Sequence, residues 1–311
     1  MSGRVAITGA TGFIGSALTT RFVEDGWTVV GLSRETSDRS RCPTEMEWVL
    51  GDVTDPETCD NLLEGADWVV HLAGVGLWQA DPATVRHVNV AGTRAVLKAA
   101  TRQGPDRVVF TSTAGTRRVP GKAAATEDDV APPIGAYQSG KAAAELLVDR
   151  YARERDAVTV HPTAVVGPGD DSITATLESL ANGSIPAHPP GGLSLVGIED
   201  VVDGIIAAAD AGTAGEHYIL GGENLTYRTA AERVATNGSI PSVAVPPTAI
   251  AAAGHLAAAV GKLTGHRVFP FSPAMASLAT RHHYYSSRRA HEDLGYTYAP
   301  IEEALMPATE R

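Results

Sequence analysis

Lysine is scarce in this sequence, and positive charge is missing from a long internal stretch. Only four of the 311 residues are lysines, and no Lys or Arg occurs between Arg155 and Arg228. The formal net charge is −11 at pH 7. A protein that grips nucleic-acid phosphates normally presents a clustered basic face. We therefore expect no nucleic-acid partner.

Cysteine and long apolar runs are also few. Cys42 and Cys59 are too isolated for a disulfide framework, which predicts reduced thiols in a cytoplasmic protein. The most apolar late stretch, residues 248–263, is interrupted by His255 and is too short to cross a bilayer. We expect a buried or half-buried helix there and no membrane partner. A strand and a glycine loop follow Met1 almost directly, so we expect no signal peptide.

The apolar runs that do occur are short and alternate with helical patterns. Strand-like runs, each almost continuously apolar, are found at 4–8, 28–32, 68–73, 107–112 and 158–166. Helical patterns occupy 15–26, 85–104 and 137–154. Continuous hydrophobicity is typical of parallel strands that are covered on both faces. The alternation predicts an α/β protein with a doubly wound parallel sheet.

The first predicted strand runs into a glycine-rich loop. Gly9, Gly12 and Gly15 stand between that strand and the first helical pattern. Glycines at this spacing allow a tight turn and bring backbone N–H groups and a helix N-terminus close to a phosphate. The strand–loop–helix context therefore predicts a dinucleotide site.

Tyr137 and Lys141 lie four residues apart at the start of a helical pattern, which places them on one helix face. A nearby ammonium favours the phenolate and is expected to lower the pKa of the Tyr137 hydroxyl from its ordinary value near 10. Tyr137 is then a candidate general acid or base. The spacing alone also fits an ordinary exposed helix face.

Five motifs occur in a fixed order: TGATGFIG (8–15), HLAG (71–74), FTSTAG (110–115), YQSGK (137–141) and HPTAVVGPGD (161–170). In this order they resemble the extended short-chain dehydrogenase/reductase superfamily. Within that superfamily, the resemblance is to the NAD-dependent epimerase/dehydratase-like proteins. The late segments 215–226 and 284–296 are most similar to its dihydroflavonol-reductase-like branch. The resemblance implies a Rossmann-type doubly wound parallel sheet with a smaller C-terminal substrate lobe.

The resemblance also implies the division of the chain. Residues 1–166 are expected to form the dinucleotide-binding core. From residue 167 Gly and Pro become frequent. Within 167–311 we expect about 195–222 to complete the sheet, and about 167–194 and 223–285 to form the substrate lobe.

The catalytic residues that the resemblance implies are Thr113, Tyr137 and Lys141, with Ser112 as the alternative to Thr113. The implied cofactor contacts are Gly9, Thr11, Gly12, Phe13, Ile14, Gly15, Asp52, Val53, Leu72, Ala73, Gly74, Tyr137, Lys141, Pro162 and Thr163. Asp52 precedes Thr54 and Asp55, either of which would serve equally well as a helix N-cap.

Three further positions in or near these motifs are Asn89, Gly140 and His161. Asn89 matches a supporting asparagine of the superfamily, and a hydrogen bond inside the helix is the alternative role. Gly140 stands where a small hydroxyl residue is usual, which is expected to loosen the helix start. His161 stands where Arg is common, and we interpret it as a strand histidine with a backbone partner.

The end of the second predicted strand bears on the choice of dinucleotide. Ser33 and Arg34 stand where an acid would hold the ribose of NAD. A guanidinium suits a 2′-phosphate, so we favour NADP(H). NAD(H) stays as the alternative, because Glu35 becomes the ribose acid if the strand runs longer.

Three functions are compatible with the sequence. The first is an NADPH-dependent reductase or dehydrogenase of a small uncharged or partly apolar carbonyl or alcohol, to which Trp78 and the segment 185–196 are suited. The second is an NAD-dependent nucleotide-sugar epimerase or dehydratase, and the third a non-catalytic dinucleotide-binding protein. The sequence leaves open whether the protein forms a homodimer.

No metal is expected in this protein. The pair His282–His283 lacks acids or cysteines at ligand spacing, and a surface strand is the simpler interpretation.

Overall fold

The computed structural model describes residues 3–76, 81–117, 123–130, 132–170, 172–235, 240, 243–264 and 273–306. The strands in this part are β1 (Arg4–Thr8), β2 (Thr28–Ser33), β3 (Glu47–Leu50), β4 (Trp68–His71), β5 (Arg107–Thr111), β6 (Ala157–Pro162), β7 (Ala164–Val166), β8 (Gly192–Gly197), β9 (His217–Leu220), β10 (Glu223–Thr226) and β11 (His282–His283).

The helices in the described part are α1 (Phe13–Glu24), α2 (Pro56–Leu63), α3 (Pro82–Val85), α4 (Thr93–Gln103), α5 (Gly135–Tyr151), α6 (Ile173–Ala181), α7 (Ile198–Ala211), α8 (Tyr227–Val234), α9 (Pro247–Thr264), α10 (Pro273–Ala279), α11 (Arg288–Leu294) and α12 (Ile301–Ala304). A π-helical segment, Arg86–Gly92, joins α3 to α4, and a 3₁₀ turn spans Ala114–Thr116.

Seven strands form one parallel sheet in the order β3-β2-β1-β4-β5-β6-β9. Side chains of β1 alternate between its two faces: Val5 and Ile7 pack in one core with α1 and α7, whereas Ala6 packs in another with α2, α4 and α5. Burial on both faces explains the continuous apolar runs. The predicted doubly wound, Rossmann-type fold is confirmed.

A smaller sheet lies beyond the carboxyl ends of β5 and β6. Its central strand β8 pairs with β7, β10 and β11. The prediction of a single strand over 158–166 is wrong, because the chain leaves the large sheet after Pro162 and joins the small one at Ala164. Thr163 is the crossing point, so the segment between the sheets faces the space where they meet.

The predicted helix over 85–104 is present, but it contains the π-helical segment Arg86–Gly92 and ends at Gly104, whose φ is 69°. The predicted buried or half-buried helix at 248–263 corresponds to α9, in which Gly254 and Ala257 are buried and most of residues 247–257 are exposed. Alanines dominate that stretch, and their small side chains expose little apolar surface. Among the described helices, none is long and apolar enough to cross a membrane.

Candidate active site

Glycines shape the loop that follows β1. Gly9 has a φ of 71°, and a Cβ there would lie 2.7 Å from the backbone nitrogen of Ala73. A Cβ at Gly15 would lie 2.1 Å from the carbonyl oxygen of Gly9. Both distances are far below ordinary van der Waals contact, so neither position accepts a side chain. The loop is therefore held close against both α1 and the end of β4.

The helix that follows this loop starts without a side-chain cap. Gly12 is the N-cap of α1, and its first turn has no side-chain acceptor. The free N–H groups and the positive end of the helix dipole are thus left for a ligand. Thr11, Phe13 and Ile14 lie half-buried around them. The glycine cradle and free donors fit a pyrophosphate, so these residues fit a dinucleotide.

The end of β4 leads from the phosphate loop to the lysine of α5. Leu72 and Ala73 are the neighbours that a Cβ at Gly9 would strike. A Cβ at Gly74 would lie 3.2 Å from Lys141 Nζ. The segment Leu72–Gly74 therefore runs between the two ends of the predicted cofactor site, as a backbone beneath the cofactor must do.

Ser33 and Arg34 lie at the carboxyl end of β2. Ser33 is the last residue of the strand and is buried, and its hydroxyl donates to the carbonyl oxygen of Arg34. Arg34 and Glu35 follow it and are exposed. The strand does not run as far as Glu35, so Arg34 is the first charged group at this edge.

Arg41 is a residue that sequence reasoning missed. Its guanidinium carbon lies 5.9 Å from the ring centroid of Phe13, and its Nη1 donates to the carbonyl oxygen of Gly169 at 3.4 Å. A second guanidinium thus stands beside the start of α1. Arg41 lies eight residues after the end of β2 and belongs to no local sequence motif. The loop after β2 folds back and brings its guanidinium beside the start of α1.

Asp52 and Val53 take different environments. The exposed Asp52 accepts hydrogen bonds from the backbone N–H and hydroxyl of Thr54, which hold the pKa of its carboxyl below the usual range. Val53 is buried, against Gly92. Asp55, rather than Thr54, is the N-cap of α2. Asp52 is therefore an ionised acceptor and is not the cap.

Thr113, Tyr137 and Lys141 come together at the carboxyl ends of β4 and β5. The Thr113 side chain lies close enough to the Tyr137 hydroxyl to lower its pKa, and Thr113 Oγ1 accepts from the backbone N–H of Gly115 at 3.2 Å. Lys141 Nζ donates to the carbonyl oxygen of Thr111 at 2.8 Å. Ser112 instead donates to the carboxylate of Glu145. Thr113 is therefore the hydroxyl residue that influences Tyr137, whereas the alternative Ser112 is engaged by Glu145.

Burial controls the titration of both groups on α5. It raises the pKa of Tyr137 to about 12, against the lowering effect of the Thr113 hydrogen bond. The predicted lowering of the tyrosine pKa is therefore wrong for the protein without a cofactor, because burial raises the pKa more than the neighbouring groups lower it. Burial also lowers the pKa of Lys141 to about 8, although the Glu145 carboxylate opposes this.

Asn89 and Gly140 fix the packing of the π-helical segment. Asn89 is buried, accepts from the backbone N–H of Val75 at 2.7 Å and donates to the Val75 carbonyl at 3.2 Å. A Cβ at Gly140 would lie 2.5 Å from Val85 Cγ1. The expected loosening of the helix start is wrong, because α5 is helical from Gly135. Glycine is needed here for close helix packing.

Pro162, Thr163 and His161 occupy the end of β6. Thr163 Oγ1 is buried with no hydrogen-bond partner among the described residues. His161 has the predicted backbone partner, since its Nδ1 lies 3.2 Å from the Thr113 carbonyl oxygen. Its Nε2 also contacts Arg117 and His217, which sequence reasoning missed because they lie 44 and 56 residues away.

A cavity of about 610 Å³ opens where the two sheets meet. Thr113, Pro162 and Thr163 line one side of it, and apolar residues of α6, α9 and α10 line much of the rest. None of the described lining residues is Asp, Glu, Lys or Arg. His283, expected on a surface strand, is buried in the lining, and burial lowers its pKa. Trp78, predicted at this site, lies outside the described residues.

Comparison with known proteins agrees with this geometry. The chain is 28% identical over 326 aligned residues to a Synechocystis sp. protein named "Putative dihydroflavonol 4-reductase", covering 97% of this chain and 92% of that one. It is 31% identical over 252 residues to Sterol demethylase protein B of Methylococcus capsulatus, covering 78% and 77%. The crystal structure of gox2253 superimposes with a TM-score of 0.82 at 30% identity, covering 99% and 97%.

The model of the NAD dependent epimerase/dehydratase family matches residues 5–221. The phosphate loop, the path along β4 and the Tyr137–Lys141 face all fall within that match. The chain belongs to this family and is an NAD(P)-dependent oxidoreductase of the extended short-chain dehydrogenase/reductase type.

Proposed function

We propose that this enzyme is an NADPH-dependent reductase of a small, uncharged and partly apolar carbonyl compound. The observation that carries the proposal is the uncharged cavity of about 610 Å³ that opens at Thr113, Pro162 and Thr163. A cavity of this size holds a compact organic molecule. Its walls offer apolar contact to the body of the substrate, and Thr113 and Thr163 offer polar groups at one side.

Each of the three residues has a distinct role in the reduction. The bound cofactor supplies a hydride to the carbonyl carbon. Thr113 donates a hydrogen bond to the carbonyl oxygen and orients it. Tyr137, protonated because its pKa is about 12, gives the proton that turns this oxygen into a hydroxyl. Lys141 lies one helical turn beyond Tyr137, where its ammonium stabilises the tyrosinate left behind and contacts the nicotinamide ribose.

The preference for NADPH rests on two guanidinium groups. Arg34 directly follows β2, and Arg41 returns to the start of α1. Both are exposed, so each is accessible to a 2′-phosphate. Planar guanidinium groups bind phosphate oxygens in a bidentate manner. Ser33 cannot act as the acid that an NAD ribose would need.

A nucleotide-sugar substrate is disfavoured by the charges of the substrate lobe. A diphosphate needs cationic partners. Arg233 is already paired with Glu223 and Glu302, and the exposed Arg228 with Glu232. Neither arginine lines the cavity, so the lobe offers a sugar diphosphate no free cation among its described lining residues.

A cofactor titration and a substrate screen test the proposal. We expect tighter binding of NADPH than of NADH, followed by NADPH oxidation with apolar cyclic or aryl ketones. Equal affinity for the two cofactors would contradict the NADPH preference. Conversion of UDP-glucose in place of any ketone would support the epimerase alternative.

A further inference from the structure

A cluster of buried charged and polar side chains lies directly behind Thr113. Glu145 continues the four-residue series of Tyr137 and Lys141 along α5. Its carboxylate pairs with Arg117 Nη1 at 3.1 Å, and the two side chains are only 7% and 3% exposed. It also accepts from Ser112 and lies 2.8 Å from the Thr116 hydroxyl. One carboxylate thus holds three residues of the loop after β5.

Arg117 contacts two histidines and determines the tautomer of His161. Its Nη2 lies 2.9 Å from His161 Nε2 and 2.8 Å from His217 Nδ1. A guanidinium only donates and the Thr113 carbonyl only accepts, so His161 must accept at Nε2 and donate from Nδ1. The proton of His161 is therefore on Nδ1 and is donated to the Thr113 carbonyl oxygen. His217 Nδ1 also lies 2.8 Å from His161 Nε2, and its Nε2 lies 3.1 Å from Asp149 Oδ1.

Burial and the nearby guanidinium hold His161 in this neutral form. Both lower its pKa well below the usual range. The Thr116 hydroxyl lies between the Thr113 carbonyl oxygen, at 2.9 Å, and the Glu145 carboxylate, at 2.8 Å, and its single proton is shared by these two acceptors. The peptide that carries the Thr113 side chain is therefore held from two sides, and both contacts lead back to the Glu145–Arg117 pair.

We propose that Glu145, Arg117, His161 and Thr116 form a positioning unit that fixes the Thr113 hydroxyl against Tyr137. The proposal rests on the proposed reductase function, in which Thr113 orients the substrate carbonyl. Arg117 acts through the tautomer of His161, and Glu145 acts through Thr116 and Arg117. None of these four residues needs to touch the substrate.

A metal ion is the competing explanation for this cluster. Glu145, His161 and His217 offer three ligand atoms within 4.8 Å of one another. The Arg117 guanidinium, however, lies within 2.9 Å of both ring nitrogens and already supplies the positive charge. We therefore expect the protein, after equilibration with Zn²⁺ and removal of excess metal, to retain no zinc. One retained zinc per chain, lost on replacing His217, would overturn the proposal.

The paired variant Arg117→Met/Glu145→Gln separates positioning from stability. Removing one partner of a buried ion pair leaves an isolated charge, whereas removing both charges together is often tolerated. We therefore expect the double variant to unfold near the temperature of the unchanged protein. His161 is then free to change tautomer and lose its bond to Thr113. A misplacement of about 1 Å costs roughly 10²-fold in turnover, so kcat should fall by that order. NADPH affinity is measured well below pH 8, where Lys141 stays charged.

Thr116 provides a second test in case the double variant does not fold. Thr116→Val keeps the shape and removes the hydroxyl that contacts Thr113 and Glu145. Thr116→Ser keeps that hydroxyl. We expect lower kcat with unchanged NADPH affinity for Val, and recovery for Ser. Equal kcat in both variants would overturn the proposal.

The control is a second ion pair, which lies at the amino ends of β5 and β6 and away from Thr113. Arg107, at the start of β5, pairs with Asp156 beside the start of β6, at the opposite edge of the sheet. Arg107→Met/Asp156→Asn should leave kcat unchanged. If it lowers kcat as much as Arg117→Met/Glu145→Gln does, the effect is general weakening of the sheet and the proposal fails.

A spectroscopic measurement keeps this proposal separate from the proposed function. In protein labelled with ¹³C at the tyrosine Cζ, the Tyr137 resonance is identified by its loss in Tyr137→Phe. We expect Arg117→Met/Glu145→Gln to shift this resonance, because the Thr113–Tyr137 hydrogen bond changes, and the control pair to leave it in place. An unshifted resonance would overturn the positioning role even if no ketone were reduced. A shifted one would support the positioning role independently of turnover.

Discussion

The two ends of the active-site cleft are built by different means. At the phosphate loop, backbone groups dominate: Gly9 and Gly15 admit no side chain, and α1 begins with free N–H groups. At the cavity between the two sheets, side chains dominate, and the described lining is uncharged. The first end suits a ligand defined by phosphate, the second a ligand defined by apolar shape. One residue group, Thr113 with Tyr137 and Lys141, lies between them.

This difference indicates where specificity can change. Backbone donors bind any pyrophosphate, so the choice of cofactor depends on the few side chains at the end of β2. The choice of substrate is spread over many small apolar contacts in the lobe. We therefore expect substitutions at the two ends to affect different kinetic constants, and those between them to affect turnover.

Tyr137→Phe should have the largest effect. It keeps the ring and its packing but removes the proton that reaches the substrate oxygen. General acid catalysis contributes roughly 10²–10⁴-fold, so kcat should fall by that order while the Kd of NADPH barely changes. Steady-state kinetics and a fluorescence titration measure the two. Near-normal turnover would show that Tyr137 is not the general acid. The residues between the two ends of the cleft would then not catalyse the reaction as proposed.

Arg34→Ala tests the phosphate end. Loss of a charged hydrogen bond costs about 1.5–3 kcal/mol, which is more than tenfold in Kd. The Kd of NADPH should rise by that amount, whereas that of NADH should not change, because NADH has no 2′-phosphate. An equal rise for both cofactors would mean that Arg34 stabilises the loop without contacting the phosphate.

Ile250→Glu tests the apolar end. Ile250 lies on α9 and lines the cavity. Losing the apolar contact of one side chain costs about 1.5–3 kcal/mol, so the KM for an apolar ketone should rise roughly tenfold. The Kd of NADPH should stay the same. Leu256→Glu is the matched control, since it places the same charge on α9 at a side chain that is 66% exposed and outside the lining.

The pH dependence of cofactor binding is expected to show the smallest effect. Lys141 has a pKa lowered to about 8, so its ammonium is lost as pH rises through that value. NADPH binding should therefore weaken above about pH 8, by at most tenfold per unit. In Lys141→Met the Kd should not change over the same range. A pH dependence that persists in this variant would assign it to another group.

The same pKa has a consequence for stability. The unfolded chain keeps the ordinary lysine pKa near 10.5, so between about pH 8 and 10.5 it binds more protons than the folded chain. The free energy of unfolding should rise with pH in this window. Below about pH 8 the full cost of burying the ammonium is present. Lys141→Met should remove this rise.

Much of the fold could be predicted, because its signals are local. The runs at 4–8 and 107–112 are strands as predicted, since each is short, apolar and bounded by polar residues. The degree of burial of α9 could not be predicted, because alanine side chains occur on both buried and exposed faces of helices. The break at Thr163 was missed for a similar reason: continuous hydrophobicity does not indicate which sheet a strand joins.

The candidate site divides in the same way. The phosphate loop and the Tyr137–Lys141 pair were predicted because neighbours in sequence are neighbours on one turn or one helix face. From the sequence, Gly140 was expected to loosen the start of the helix. In the structure, a Cβ at this position would lie 2.5 Å from Val85 Cγ1, so glycine is needed there. The direction of the Tyr137 pKa was wrong, because burial cannot be judged from the type of the neighbouring residues.

The sequence by itself determined the sheet, the phosphate loop and the helix face of Tyr137 and Lys141, because hydrophobic periodicity and residue spacing act over a few residues. The tertiary structure decided the rest. Only folding brings Arg41 to Phe13, turns Ser112 towards Glu145 and leaves Thr113 for Tyr137. Only folding places His161 and His217, 56 residues apart, around one guanidinium. Side chains so distant in sequence meet because parallel strands end at a common edge, and no local pattern records which of them will meet there.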